Sequence, residues 1–249
     1  MKLTKNNYWN NFCKKSRKIN HINILLPPDR EIHRIFKKFL PINKQVEFIE
    51  IGCGLGNWCV YFKKYFKYKI YGIDYTEKGV RSCLRTLEKN KIVPQKIYLE
   101  DFTTYKFDKK FDVVFSTGFV EHFTNYQEVI QKHLDITKNG GFTIIIVPNI
   151  REGIYSEIQQ RLNKKTWDGH MKIGPIELYN SISEKNKIIY HGYIGKVNFG
   201  VVNTHSLNYL VRIIYFTFSL FTRFIFKYFL FWIPENRLLS PYVLLIIKK

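Results

Sequence analysis

The sequence predicts an α/β fold on an open, mostly parallel β-sheet, and three observations carry that expectation. Apolar strand-like runs alternate with helix-like segments through residues 45 to 150. A glycine-rich turn, Glu50-Ile51-Gly52-Cys53-Gly54-Leu55-Gly56, joins the first such run to the first helix. Acids stand at the ends of the next two runs, at Asp74 and Glu100-Asp101. Ligands of open parallel sheets lie beyond the carboxyl ends of the strands, so these residues belong to one edge.

Each element follows in order. Val46 to Ile49 reads as the first strand, and Trp58 to Phe66 as the first helix. Glycines at alternate positions in the turn between them allow a ligand to lie against bare peptide groups. A dinucleotide fingerprint, G-x-G-x-x-G, would need its third glycine at position 57, which is Asn57. The second strand, Lys69 to Ile73, ends in Asp74, 22 residues beyond Gly52. That is close to the separation of roughly 20 that sets a strand-end acid on a ribose. A bland alternative is that Asp74 only precedes a helix capped by Thr76. The third strand, Lys96 to Leu99, ends at Glu100-Asp101-Phe102. The fourth, Phe111 to Phe115, opens into Ser116-Thr117-Gly118-Phe119-Val120-Glu121-His122-Phe123. Thr124 to Gln127 reads as a capping box for the following helix, so Glu121 and His122 either frame that helix or carry chemistry. The fifth strand, Phe142 to Val147, follows Asn139-Gly140-Gly141. Apolar periods at Trp58, Phe62, Tyr65 and Phe66, at Val80, Cys83, Leu84 and Leu87, and at Tyr126, Val129, Ile130 and Leu134 mark sheet-facing helix sides.

With these elements assembled, residues 45 to 150 resemble the class I S-adenosylmethionine-dependent methyltransferases of the small-molecule type. The resemblance rests on E-I-G-C-G-L-G, Y-G-I-D, the E-D-F acid, F-D-V-V-F-S-T-G-F-V-E-H-F and N-G-G, in that order. It implies a Rossmann-like methyltransferase fold with a mostly parallel seven-stranded sheet and an antiparallel last strand, here Tyr242 to Ile247. It also implies S-adenosyl-L-methionine as cofactor. Glu50, Gly52, Gly54, Gly56, Asp74, Asp101, Phe102 and Ser116 are the expected cofactor-binding residues. The methionine carboxylate suits the positive end of the helix beginning near Leu55, the ammonium suits Glu50, the ribose diol Asp74, and the adenine amino group Asp101. His122, with Glu121, is the expected catalytic pair, the histidine removing a proton from an acceptor hydroxyl.

Composition bounds the rest. The 249 residues fit a single domain with additions. These are an N-terminal helical cap at 1–44, the cofactor core at 45–150, a substrate-covering region at 151–206, a hydrophobic helix at 207–233 and the last strand at 234–249. Cys13, Cys53, Cys59 and Cys83 show no paired spacing, so neither a disulfide framework nor a metal site is expected. The polar stretch Met1 to Asn11 lacks a signal-peptide run, which predicts a cytoplasmic location. The net charge of +20 invites a nucleic-acid reading. Most of the excess lies outside the core: residues 1–40 hold 10 basic and 2 acidic residues, residues 41–150 hold 16 and 12, and residues 151–249 hold 14 and 6. The Ser116-Thr117-Gly118-Phe119 run also differs from the [DN]-P-P-Y of amino-directed nucleic-acid enzymes. An RNA methyltransferase is therefore the secondary expectation and a non-catalytic cofactor-binding scaffold the third.

The expected acceptor is a small molecule, a saccharide or a lipid-linked compound, methylated on oxygen before nitrogen or carbon. Arg151, Trp167, His170, His191 and His205 are candidates for substrate contact, and Tyr8-Trp9 with Ile32, Ile35, Phe36 and Phe39 anchor the N-terminal cap. Leu207 to Ile233 is dominated by Phe, Tyr, Ile and Leu, with Asn208, Arg212, Ser219, Arg223 and Lys227 on one face. Its charges interrupt the roughly 20 uncharged residues of a membrane span. Peripheral contact with the inner membrane surface, a lid over the substrate and a dimer helix are the expectations for this segment.

Overall fold

The computed structural model describes residues 2–3, 22–184, 187–196, 198–199 and 208–249. The expectations placed on Tyr8, Trp9, Cys13, His205 and Leu207 fall outside the described residues. The described elements are α1 (Asp29–Phe39), β1 (Glu47–Ile51), α2 (Asn57–Phe66), β2 (Lys69–Asp74), α3 (Glu77–Lys89), β3 (Lys96–Leu99) and β4 (Phe111–Thr117). A 3-10 turn, Val120–His122, leads to α4 (Tyr126–Asp135), β5 (Thr137–Pro148), α5 (Gly153–Leu162), α6 (Lys164–Asp168) and α7 (Pro175–Asn180). β6 (Ile188–Ile194), α8 (Tyr209–Tyr228) and β7 (Tyr242–Lys248) complete the order.

The strands form a seven-stranded sheet in the order β3-β2-β1-β4-β5-β7-β6. β1 pairs in parallel with β2 and β4, β2 with β3, and β4 with β5. β7 enters antiparallel between β5 and β6. The chain leaves β1 toward β2 and β3 on one side and returns to β4 on the other, so the strand order reverses at β1, where a crevice opens at the carboxyl ends.

Both sheet faces are covered, so the central strands are apolar throughout, and their period of two divides the core. Phe48, Ile70, Val113, Phe115, Ile144 and Leu244 pack with Ile32 and Phe36 of α1 and Phe62 and Phe66 of α2. Ile49, Ile51, Ile73, Val114, Ile145 and Leu245 pack on the other face with Val129 and Ile130 of α4 and Leu178 of α7.

Three local expectations change. β5 begins at Thr137 rather than Phe142 because Gly140 donates its N–H to the Lys249 carbonyl (2.7 Å), which keeps the Asn139-Gly140-Gly141 run in the ladder. Leu84 is exposed (43 %), and Thr86 takes the buried position on α3 instead. The N-cap of α4 is Asn125, without a side-chain cap bond, so the capping box centred on Thr124 does not form.

α8 differs from the other long helices. Ser219 is its one buried residue among those described. It is held along its length against the domain: the Tyr215 hydroxyl donates to the Phe199 carbonyl (2.7 Å) and Arg223 Nε to the Pro27 carbonyl (2.6 Å). Phe226 packs on the small cluster of Tyr155 and Phe199, as does Leu239. At 100° per residue Tyr215, Ser219, Thr222 and Phe226 face the domain. Leu210, Ile213, Ile214, Leu220, Phe221 and Phe224 therefore point away from it, and all are exposed.

Candidate active site

The turn after β1 is shaped by its glycines. Gly52, Gly54 and Gly56 take φ values of +70°, +42° and +73°, a region that favours glycine. A Cβ on Gly52 would lie 2.7 Å from the Phe119 ring, and one on Gly56 would lie 2.9 Å from the Cys83 sulfur. These two are fixed by packing. A Cβ on Gly54 would meet nothing closer than the Gly52 carbonyl oxygen at 3.7 Å, so Gly54 offers bare backbone to open space. It is the position of this turn at which a ligand can lie.

The acids divide by sheet face. Alternation along β1 puts Glu50 on the same side as Phe48, beneath the start of α2. It is buried (3 %), and Oε2 accepts the Cys59 N–H and thiol, both at 3.0 Å. Burial pushes its carboxyl well above the usual range, against the pull of those bonds. Beside the expected neighbourhood of an ammonium, Glu50 thus has a structural role: Oε2 caps the third N–H of α2, a group that helices leave unsatisfied.

Asp74, at the end of β2, is half-buried. Its Oδ2 accepts the Gly54 N–H (3.0 Å), and its Oδ1 accepts the Thr76 N–H (2.8 Å) and hydroxyl (2.7 Å). Thr76 in turn caps α3 by accepting the Gly79 N–H. Both readings of Asp74 are therefore built into one structure. Of the roughly four acceptor positions of a carboxylate, three serve the protein and one on Oδ2 is left for a ligand. A Cβ at Gly79 would come within 2.6 Å of the Asp74 carboxyl carbon, which explains glycine in the first turn of α3.

Asp101 pairs with Lys2 and accepts the Thr103 N–H (3.0 Å) and hydroxyl (2.7 Å). Burial pulls its pKa up, and the bonds from Lys2 and Thr103 outweigh that and lower it. The Phe102 ring lies inward from the expected cofactor edge. It is buried (3 %), in T-shaped contact with the rings of His133 at 4.8 Å and Phe119 at 5.8 Å, and the Lys132 ammonium lies over it at 5.5 Å. Ser116, on β4 beside Ile51, is fully buried, and its hydroxyl has no hydrogen-bond partner.

Glu121 and His122 sit in the 3-10 turn beyond β4, both buried (1 % and 5 %). Glu121 Oε1 lies 3.9 Å from His122 Nε2, and neither carboxylate oxygen of Glu121 has a hydrogen-bond partner. Burial pushes that carboxyl up to about 8; the backbone N–H groups of Glu121 and Phe119 lie near enough to temper the rise but do not reach hydrogen-bonding geometry. Burial, then the neighbouring His170 ring, holds His122 well below the usual histidine range, so its imidazole is neutral at pH 7. The His170 ring centroid is 4.3 Å away. Ligand atoms of Glu121, His122 and His170 all lie within 4.8 Å of one another. Two backbone ties enclose the group: Met171 N–H to the Glu121 carbonyl (2.7 Å) and Leu3 N–H to the His122 carbonyl (2.7 Å).

Of the other substrate candidates, Arg151 is paired with Glu177, and the Trp167 indole donates to Ser156 (3.2 Å). His191 is exposed beside Tyr179, on β6 at the far edge of the sheet. Sequence reasoning gave His170 no special place among these. No spacing rule links it to residue 122; the link is the backbone bond between Met171 and Glu121. Thr76 was legible, because a threonine just before the apolar-periodic run of Val80, Cys83 and Leu87 is an N-cap signature.

The residues fit S-adenosylmethionine in three respects. There is an open cradle at Gly54, a remaining acceptor position on Asp74 and an unpartnered buried hydroxyl on Ser116. Comparison with known proteins agrees with that fit. The family model described as "Methyltransferase domain" matches residues 42–192. The (S)-coclaurine N-methyltransferase of Papaver somniferum is 26 % identical over 98 residues, which are 39 % of this chain and 28 % of that protein. The probable (S)-tetrahydroprotoberberine N-methyltransferase 2 of Papaver bracteatum is 30 % identical over 101 residues, 40 % of this chain and 28 % of its own length. The match thus spans little more than a quarter of either curated relative. Among solved structures, a coclaurine N-methyltransferase bound to N-methylheliamine and SAH superposes with a TM-score of 0.60 at 13 % identity, over 88 % of this chain and 71 % of that one. A putative methyltransferase from Bacillus halodurans gives 0.60 at 14 % identity, over 87 % and 97 %.

Proposed function

Since this chain belongs to the class I S-adenosylmethionine-dependent methyltransferase family, we propose that it methylates an oxygen or nitrogen of a small lipophilic acceptor met at a membrane surface. The curated relatives are named for N-methylation, so the reading takes in an amine beside the hydroxyl that the sequence favoured. The observation that carries it is one junction. The Phe119 ring packs on Gly52 of the cofactor turn, and the same loop continues directly into Glu121 and His122. Donor side and acceptor side are thus neighbours.

Gly54, Asp74 and Ser116 would hold the cofactor, which supplies an electrophilic methyl group on a sulfonium. Much of the work is then positioning of the acceptor heteroatom. His122, neutral through burial, takes the proton that the acceptor loses, with the Glu121 carboxyl 3.9 Å from its Nε2. The fragments at 2–3 and 169–171 close over this pair and keep water from it.

The membrane part of the reading rests on α8. Its outward side carries Leu210, Ile213, Ile214, Leu220, Phe221 and Phe224, and the chain continues into exposed Phe229, Phe231 and Trp232. The helix is long and apolar enough to cross a bilayer by length and composition, yet Tyr215, Arg223 and Phe226 hold it flat on the domain. A flat helix of this kind suits the interfacial layer, with its apolar side in the acyl region. Arg223 is engaged with Pro27, so the headgroup cations of this reading are Arg212 and Lys227.

The test is transfer of label from methyl-labelled S-adenosylmethionine to a panel of lipophilic amines and hydroxyl compounds, sugars and RNA, with and without vesicles. Label should enter a lipophilic amine or alcohol, faster with vesicles present. Label in RNA, or cofactor binding with no transfer to anything in the panel, would overturn the proposal in favour of a nucleic-acid enzyme or a cofactor-binding scaffold respectively.

A further inference from the structure

We propose that Glu121, His122 and His170 form a binding site for one divalent transition-metal cation of the zinc or cobalt type. The site combines two imidazoles with one carboxylate, from two segments distant in sequence, with ligand atoms within 4.8 Å of one another. Zinc with nitrogen and oxygen ligands at about 2.0–2.2 Å sets those atoms roughly 3.0–3.5 Å apart, so binding needs a closure of up to about 1.5 Å. His170 can supply it, because it stands on the partly exposed segment 169–171.

A second observation points to a missing positive group. Both carboxylate oxygens of Glu121 are buried without a hydrogen-bond partner, in a residue only 1 % exposed. A buried carboxyl group in that state is costly whether protonated or ionised, and a cation bound in place of the acid proton would meet both oxygens. No lysine or arginine is paired with it among the described ion pairs; its recorded neighbour is His122. Imidazole with carboxylate selects zinc, cobalt or iron over magnesium and calcium, which prefer all-oxygen shells. Two histidines and one glutamate also leave coordination positions open for another ligand.

This inference rests on the reading of the Glu121–His122 turn as the acceptor side and alters it in one respect. With a cation bound, His122 is a ligand rather than a proton acceptor, so a chelator would lower methyl transfer instead of leaving it unchanged.

The experiment takes the full chain stripped with a chelator, titrated with Zn²⁺ alone by calorimetry and with Co²⁺ alone by visible absorption. One equivalent should bind, with a Co²⁺ d–d band. Loss of outer-sphere partners already weakens metal sites by about 10- to 100-fold, so Glu121→Gln and His170→Ala should weaken binding by at least about tenfold. Glu121→Gln is isosteric and His170 is partly exposed, so thermal melts of both variants can verify folding. Absence of saturable one-equivalent uptake by the wild type, or equal uptake by both variants, would overturn the site. Transfer that persists in chelator without cation uptake removes the metal and keeps the methyltransferase reading; one-equivalent uptake with no transfer to any acceptor does the reverse.

Discussion

Replacing Phe221, Phe224 and Phe231 together with serine should release the protein from anionic vesicles and leave it folded. The three rings are 61 %, 50 % and 60 % exposed, so about half or more of each is available to lipid and little of each supports the core. Full burial of a phenylalanine side chain stabilises by about 1.5–3 kcal/mol, and the available share is thus roughly 1–1.5 kcal/mol per ring. Together the three contribute about 3–4.5 kcal/mol, or roughly a 10²- to 10³-fold change in partitioning. Arg212 and Lys227 add about 1 kcal/mol each on an anionic surface, and salt removes that part alone. The assay is sedimentation with vesicles of stated anionic lipid content at low and high salt, beside a thermal melt of the same variant. If the wild type fails to sediment at any salt concentration, or the triple variant melts or dissociates instead, the outer side of α8 covers protein and the reasoning is refuted.

Asp74→Ala should weaken S-adenosylmethionine binding by about 10- to 150-fold, since bonds to a charged acceptor are worth about 1.5–3 kcal/mol, and should also loosen the Gly54 turn and α3 cap; calorimetry with a thermal melt checks both. His122→Ala should lower turnover by about 10² to 10⁴ with cofactor affinity nearly unchanged, and equal loss of both in titration and rate measurements would show a structural histidine. Gly79→Ala should weaken the cofactor site without touching it directly, because the new methyl group meets the Asp74 carboxyl; affinity equal to wild type would contradict the packing. Glu47 resists burial, which alone would raise its pKa, through bonds from Lys109, Lys138 and Tyr71 that hold it at about 2. Its folded pKa is depressed, so its stabilisation is present above the ordinary glutamate value and is lost as pH falls from about 5 toward 2. Melts across that window should show the loss in the wild type and a flatter profile in Glu47→Gln.

The sequence by itself determined the sheet and the cofactor turn of this protein, because both depend on local rules. Period-two and period-3.6 apolar patterns mark β1, α2, β2 and α4 to within a few residues, and only glycine serves at the positive-φ positions 52, 54 and 56. The acid at the end of β2 was visible for the same reason. Tertiary structure decided what those side chains do. Glu50 and Phe102 stand at motif positions, and in addition one caps α2 and the other packs against His133 and Phe119, because sheet-face alternation and those rings set their surroundings. The Glu121–His122–His170 group exists only because Met171 is hydrogen-bonded to Glu121 across a separation of fifty residues, a contact that no local pattern encodes. The orientation of α8 was half legible: its polar stripe could be drawn from 100° steps. Which side meets the domain was settled by Phe199 and Pro27, partners distant in the chain.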